Sequence, residues 1–429
     1  MEIKLGYDKE YRTLQIDDKN VIDILKMKQI PAIDNVENMI MEKLNNPIGS
    51  PSLKELLQKK KIRTLVIIIS DITRAGPFSK LLPIIVELIE DSGIKTQQIE
   101  FVIATGTHRP MNINEMKWHY GEELVNKYKF VNHDCYAKDL VSLGKLSSGN
   151  ELLVNRKVVE ADFLITTGVL NTHYFAGYSG GRKAILPGVC GYETIRANHS
   201  NIIYDFAKLA KLKGNKIHEE MEEAALKVGV DFNINILIND KKAPVDCVAG
   251  DIIESFYYGT KILTEIYAVK FHKLADVVFT SPGGYPKDLN FYQSQKALNN
   301  IIDLVKQDGT IVLVACCNEG VGQKQMEEVL RKAKDLDDLF KIKQQDIQIG
   351  GHRAFATGRL LKKCEIIIIS NMEDDIVTDM HFTPMKSLEE AYEYVKKKHS
   401  NDFTSYIVPN GTMFFPVYEQ LSSNKDTKE

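Results

Sequence analysis

The chain has 429 residues, of which 44% are hydrophobic and 26% charged, and a formal net charge of −3. That length suits about two or three domains, and so even a charge balance gives no electrostatic case for nucleic acid or an anionic membrane as partner. Apolar runs such as those at 65–69 and 366–369 fall far short of the roughly 20 residues a membrane span needs.

The first residues, Met1-Glu-Ile-Lys-Leu-Gly6, hold no apolar stretch of the kind that marks an export signal. Cys135, Cys190, Cys247, Cys316, Cys317 and Cys364 form no CxxC pair. They read as buried or inert thiols of a cytoplasmic protein, not as a disulfide framework.

In chain order, the β-branched run at 64–70 predicts a buried strand, and 79–91 an amphipathic helix after it. Residues 99–104 predict a second strand, 113–127 its helix, and 161–167 a third strand. Runs that are apolar throughout suit a parallel sheet covered on both faces. A second series follows, with strands at 276–280, 309–315 and 364–370 and helices at 293–306, 325–334 and 387–399. The charged, irregular stretch at 255–275 reads as the junction.

The expected fold is therefore α/β: two α/β domains with largely parallel sheets and the active site in the cleft between them. The division falls into 1–268, an N-terminal catalytic and cofactor-binding domain, and 269–429, a C-terminal domain contributing substrate-binding residues. There is no internal repeat, and 422–429 reads as a frayed polar tail.

In open parallel sheets, ligands bind beyond the carboxyl ends of the strands. Asp71-Ile-Thr-Arg74 follows the first strand, Thr105-Gly-Thr-His-Arg-Pro110 the second, Asn171-Thr-His173 the third, and Ser281-Pro-Gly-Gly-Tyr-Pro286 the first of the second series. Ser179, Gly180 and Gly181 let backbone N–H groups approach an anion, with Arg182 and Lys183 adding charge directly after them. The segment is neither a Walker loop nor a GxGxxG fingerprint, and a tight turn with two solvated cations is the plainer alternative.

His108, His173 and His199 match no zinc-finger or HExxH spacing, so whatever they serve is assembled by the fold. Arg74 suits a carboxylate clamp, the alternative being a local ion pair with Asp71. Gln293 and Lys296 share one face of the helix that Tyr292 opens, the alternative being an ordinary solvated helix start.

Taken together, the sequence resembles the nickel-dependent lactate racemase family over nearly its whole length. The resemblance runs through DxTR at 71–74, GTHRP at 106–110, HYFAGYSGGRKAILPG at 173–188, Asn198-His199, and GYPxDLxxYQxxKA at 284–297. It implies an isomerase that racemises or epimerises a small 2-hydroxy acid by hydride transfer through a 2-keto acid. The implied cofactor is a nickel-pincer nucleotide, a pyridinium dithio-mononucleotide tethered covalently to Lys183, with His199 as protein ligand to nickel. His108 and His173 would be paired general bases. Arg74, Tyr292, Gln293 and Lys296 would bind substrate, and Asp71, Thr73, Ser179, Gly180 and Gly181 would contact the nucleotide or orient the site. Cofactor-biosynthesis proteins are implied partners; the sequence does not set the oligomeric state.

Two departures bear on this. Lactate-specific members carry a Trp beside the substrate's 2-substituent, whereas the only Trp here is Trp118, in an unrelated helix, and His352 stands at that place. A His makes the pocket roomier or more polar, which admits malate, an aromatic 2-hydroxy acid or a sugar acid. Asn171 and Thr172 also precede His173 where an acidic residue and Pro are commoner. The readings from other classes are a metal-free lyase with Lys183 as Schiff-base lysine, and a non-catalytic nucleotide-binding protein.

Overall fold

Leu65, Val66, Ile67, Ile68 and Ile69 are each 0% exposed, so the strand Leu65–Ser70 is covered on both faces, as its unbroken apolar run requires. The structure, a computed structural model, describes residues 1–74, 76–341 and 352–419, apart from the side chains of His352 and Met413. The chain divides into two compact units, Gln29–Ile266 and Met1–Lys28 with the described part of Tyr267–Glu429.

In Gln29–Ile266 the sheet order is Pro244–Gly250, Phe232–Ile238, Phe163–Val169, Leu65–Ser70, Ile99–Ala104, Lys129–Asn132. All neighbours are parallel except the edge strand Pro244–Gly250, which is antiparallel and begins with Pro, where a missing N–H is tolerated. The helix Phe78–Asp91 buries Phe78, Leu81, Leu82, Ile85, Val86 and Ile89, the spacing of one helical face. The helix expected over 113–127 is two, Ile113–Tyr120 and Glu122–Lys127, because Gly121 between them takes φ 100°.

In the other unit the six-stranded sheet is parallel throughout, in the order Thr383–Met385, Cys364–Ile369, Val305–Val314, Ala275–Thr280, Ser405–Val408, Val21–Ile24. The expectation of one domain over 1–268 therefore needs correcting at its start. Val21–Ile24 extends this second sheet, and the hairpin Glu2–Tyr7/Glu10–Gln15 buries Ile3, Leu5, Tyr7 and Leu14 in its core.

The stretch read as an irregular junction contains the 14-residue helix Glu254–Tyr267. All six cysteines are free and buried. Among the described residues no helix is long and apolar enough to cross a membrane. The tail at 422–429 lies outside the described residues.

Candidate active site

From Leu65–Ser70 the chain adds strands outward on one side, then returns to place Phe163–Val169 on the other. This reversal is a topological switch point, where the loops at the carboxyl ends of neighbouring strands diverge and leave room for a ligand. Asp71-Ile-Thr-Arg74, the 105–110 loop and the 170–181 segment all leave the sheet at that edge.

Asp71, 3% exposed, accepts a hydrogen bond from His108 Nδ1 at 2.6 Å and from Thr73 Oγ1 at 2.6 Å. Burial works against its charge. The hydrogen bonds from His108 and Thr73 and the charges of His108 and Arg74 outweigh that cost and hold the carboxyl below its usual value. Asp71 thus pairs with His108 and not with Arg74, whose own side chain is exposed.

A two-residue ribbon pairs His173 with Gly177. Inside it the Ala176 N–H donates to His173 Nδ1 at 3.3 Å, so the neutral ring carries its proton on Nε2. Burial, then the positive charges of Lys183, Arg74, His199 and Arg182, hold His173 well below the ordinary histidine range. Lys183 is likewise held well below the usual lysine value by burial, Arg182 and Arg74, which favours the neutral, nucleophilic amine. Asn171 Oδ1 accepts from the Thr172 N–H at 2.8 Å and brings His173 no carboxylate.

Phe175, 3% exposed, gathers these groups. His173 meets its ring at 4.4 Å between centroids, His199 at 5.1 Å, and Lys183 Nζ lies 5.5 Å from its centroid. His199 Nδ1 lies 3.1 Å from Asn198 Oδ1. Nothing in the sequence marked Phe175 beyond its place between motif residues.

In the glycine-rich segment two backbone donors have partners within the protein. The Ser179 N–H donates to Asn171 O at 2.7 Å and the Gly181 N–H to Asn235 Oδ1 at 2.7 Å, so both donors are used within the protein. The glycine at 180 has φ 80°, and a Cβ there would lie 2.1 Å from Asn235 Oδ1. Close packing on the buried Asn233–Asn235 ladder accounts for it.

Arg182 is no solvated cation. It is 1% exposed and donates to the carbonyls of Ala176 at 2.7 Å, Tyr178 at 2.8 Å and Gly180 at 3.2 Å. Its Nε donates to His218 Nδ1 at 3.0 Å, and His218 Nε2 lies 3.1 Å from Glu222. Burial pushes Arg182 down to about 9 against the pull of Glu222 and Tyr257. This brace fixes the backbone that carries Lys183.

In the other unit, Asn290 caps the helix Phe291–Ile301, and Lys296 Nζ donates to Gln293 Oε1 at 2.7 Å, as their spacing requires. The Tyr292 ring lies 3.7 Å from the Arg353 guanidinium, which also donates to Tyr292 O at 2.6 Å. Arg353 is a partner the sequence did not single out. Asp288 of the GYPxDL motif accepts from the Asp8 N–H at 2.7 Å and the Cys316 N–H at 3.1 Å, so it ties the N-terminal hairpin to this unit. His352 begins the helix His352–Lys363, but its side chain lies outside the described residues. Trp118 is exposed on Ile113–Tyr120.

Family models for the lactate racemase N-terminal domain and the lactate racemase C-terminal domain match residues 7–209 and 270–415. The chain belongs to the lactate racemase family.

A lactate racemase of Thermoanaerobacterium thermosaccharolyticum is 34% identical over 419 residues, covering 95% of this chain and 97% of that protein. The lactate racemase of Lactiplantibacillus plantarum is 33% identical over 423 residues, 95% and 98% of the two chains. The solved lactate racemase apoprotein from T. thermosaccharolyticum superposes with a TM-score of 0.90 at 32% identity, over 97% of this chain and 100% of that one. A Thermotoga maritima structure, with a TM-score of 0.61 at 16% identity over 87% of this chain and 100% of its own, shares the fold.

Membership of the lactate racemase family places the chain among racemase-type isomerases. Among the described residues no group of three or more His, Cys, Asp or Glu side chains is arranged to hold a metal. The donors present nevertheless fit a metal that brings most of its own ligands. His199 offers one imidazole oriented through Asn198, and Lys183 beside it offers an amine suited to a covalent tether.

Proposed function

We propose that this lactate racemase family member is a racemase or epimerase of a small 2-hydroxy acid that uses a nickel-pincer nucleotide and passes through a 2-keto acid. The observation that supports this most is the packing of His173, Lys183 and His199 around the single ring of Phe175, in the same unit as the Asp71-backed His108. Together these supply one tether, one metal donor and two proton-transfer groups.

The residues divide the work by their chemistry. Lys183 Nζ would provide the covalent tether and His199 would be the protein donor to nickel. Ser179, Gly180, Gly181, Asp71 and Thr73 would contact the nucleotide or orient the site. When bound, that group would accept the substrate's α-hydrogen with its electron pair and return it to either face.

The protein must then move the hydroxyl proton. Asp71 holds the Nδ1 proton of His108, so Nε2 takes the proton as a base. His173, kept neutral, serves the opposite antipode. Arg74, Tyr292, Gln293, Lys296 and His352 are the residues this reading assigns to substrate binding, Arg74 as a carboxylate clamp. Removing the α-hydrogen as a proton would instead place a carbanion next to a carboxylate with no electron sink, which none of these residues relieves.

Lactate is one candidate substrate; malate, aromatic 2-hydroxy acids and sugar acids are the others that His352 admits. A cytoplasmic location and supply by cofactor-biosynthesis proteins belong to the same proposal. The lowered proton affinity of Lys183 also suits a metal-free Schiff-base lyase. Borohydride trapping of a substrate adduct on Lys183 in metal-free protein would support that second reading.

The test of the main reading is isotopic. Holoenzyme given a substrate carrying deuterium at C2, in ordinary water, should return the antipode with its deuterium retained. Washout of the label to solvent would overturn hydride transfer.

A further inference from the structure

We propose that Glu220 is a positioning residue for the metal donor, acting through Asn198 to fix which nitrogen His199 presents. The inference rests on the assignment of His199 as the donor. Glu220 sits on the helix Lys216–Val228, which carries none of the residues assigned to substrate, tether or metal.

Glu220 is 5% exposed and Asn198 0% exposed. Asn198 Nδ2 donates to Glu220 Oε2 at 2.5 Å and to the Ile217 carbonyl at 3.2 Å. Ser148 Oγ donates to the other oxygen of Glu220. Both partners of the Asn198 amide nitrogen are pure acceptors, a carboxylate and a carbonyl. A flipped amide would press its oxygen against them, so the orientation is set with Oδ1 toward His199 Nδ1, 3.1 Å away.

An acceptor at Nδ1 keeps the proton there and puts the lone pair of the neutral ring on Nε2. The ring edge is then held against Phe175. Loss of an outer partner of a metal-bound histidine commonly weakens metal affinity by about 10–100-fold. Glu220 is a buried carboxylate two hydrogen bonds removed from the ring, and it supports such a partner from the same helix whose His218 braces Arg182.

The experiment uses the full-length apoprotein labelled with ¹⁵N-histidine, with His199 assigned through His199→Gln. Long-range ¹H–¹⁵N correlations should show His199 protonated at Nδ1. Glu220→Met should lose that preference. Glu220→Gln should keep it, because the glutamine carbonyl still accepts from Asn198. Where Glu220→Met does not melt cooperatively, Asn198→Ala interrupts the same relay and should give the same loss. A wild-type His199 protonated at Nε2, or an unchanged tautomer in a folded Glu220→Met or Asn198→Ala protein, overturns the proposal.

A second readout uses protein loaded with cofactor. Glu220→Met should keep the mass adduct on Lys183 yet retain nickel at least about 10-fold more weakly through dialysis against chelator. Equal nickel retention by wild type and Glu220→Met overturns the inference. Wild-type protein that takes neither adduct nor nickel overturns instead the assignment of His199 as the donor, whatever the tautomer measurement gives.

Discussion

His108 Nδ1 lies 2.6 Å from Asp71 Oδ2, and the carboxylate is almost completely buried. A surface carboxylate 2.6 Å from an imidazole would contribute little. Here the carboxylate is fixed by Thr73 as well, so the imidazole is locked in one tautomer.

Asp71→Asn should therefore lower kcat by about 10²–10⁴-fold with a small change in KM, the scale of losing an oriented base. Steady-state kinetics on the loaded enzyme check this, and an unchanged kcat would reduce the pair to a structural contact. The carboxyl is held below its ordinary value of 3.8. Its contribution to stability is therefore present above that pH and lost as pH falls through the lower folded value. The stability gap between wild type and Asp71→Asn should accordingly close in strong acid.

His173 has the opposite surroundings, a backbone donor and several cations. The folded protein resists protonating it, while the unfolded chain takes up a proton below about 6.5. Stability should thus fall as pH drops below 6.5, with buried His133 and His218, also depressed from 6.5, adding to the slope. Each buried group contributes at most about 1.4 kcal/mol per pH unit. Urea unfolding from pH 7.5 to 5.5 measures it, and His173→Gln should flatten the curve. In catalysis His173→Ala should cost about 10²–10⁴-fold. For a pair of antipodes of equal energy, kcat/KM must fall by the same factor in both directions.

Lys183 is held well below its ordinary value of 10.5 by burial, Arg182 and Arg74. Below 10.5 the unfolded chain takes up a proton there more readily than the folded chain does, so this residue costs the apoprotein stability. Lys183→Met should raise the apoprotein Tm while abolishing covalent cofactor retention. A lowered Tm would contradict a desolvated amine.

Arg74→Lys should weaken substrate binding by roughly 1.5–3 kcal/mol, because an ammonium cannot reproduce two parallel N–H bonds to a carboxylate. Lys296→Met should act in the same direction, by removing the charge that Gln293 holds in place. Inhibition by a substrate-like 2-keto acid reads both changes, and unchanged constants would leave these side chains with a structural role only.

What the sequence made legible were residues whose chemistry is local. His108 and His173 follow apolar, strand-like runs in segments punctuated by Gly, Pro, Thr and Asn, Lys183 lies in the turn Gly181–Ala184, and His199 ends the helix Tyr192–His199. What it hid were properties that depend on burial. Arg182 and Lys183 are adjacent cations in sequence, yet Arg182 is a buried brace with carbonyl partners on one side and His218 on the other.

The alternation of Asn and Ile in Phe232–Ile238 suggests one wet face, but Asn233 and Asn235 are buried beneath the glycine-rich segment. Residues 1–28 gave no sign of leaving the unit that follows them, because the pairing of Val21–Ile24 with Ser405–Val408 spans nearly the whole chain. Asp71 was read as orienting the site without its partner, since only the fold brings His108 beside it.

The proposed function stands on Lys183 as the tether of a nickel nucleotide. Intact-protein mass with nickel analysis, on protein co-expressed with the enzymes that make the cofactor, tests it most directly. A nucleotide-sized adduct that maps to Lys183, is absent from Lys183→Met, and comes with about one nickel per chain is the expected result. Protein that stays at its bare mass without nickel, in a host that loads another family member with cofactor, would overturn that assignment.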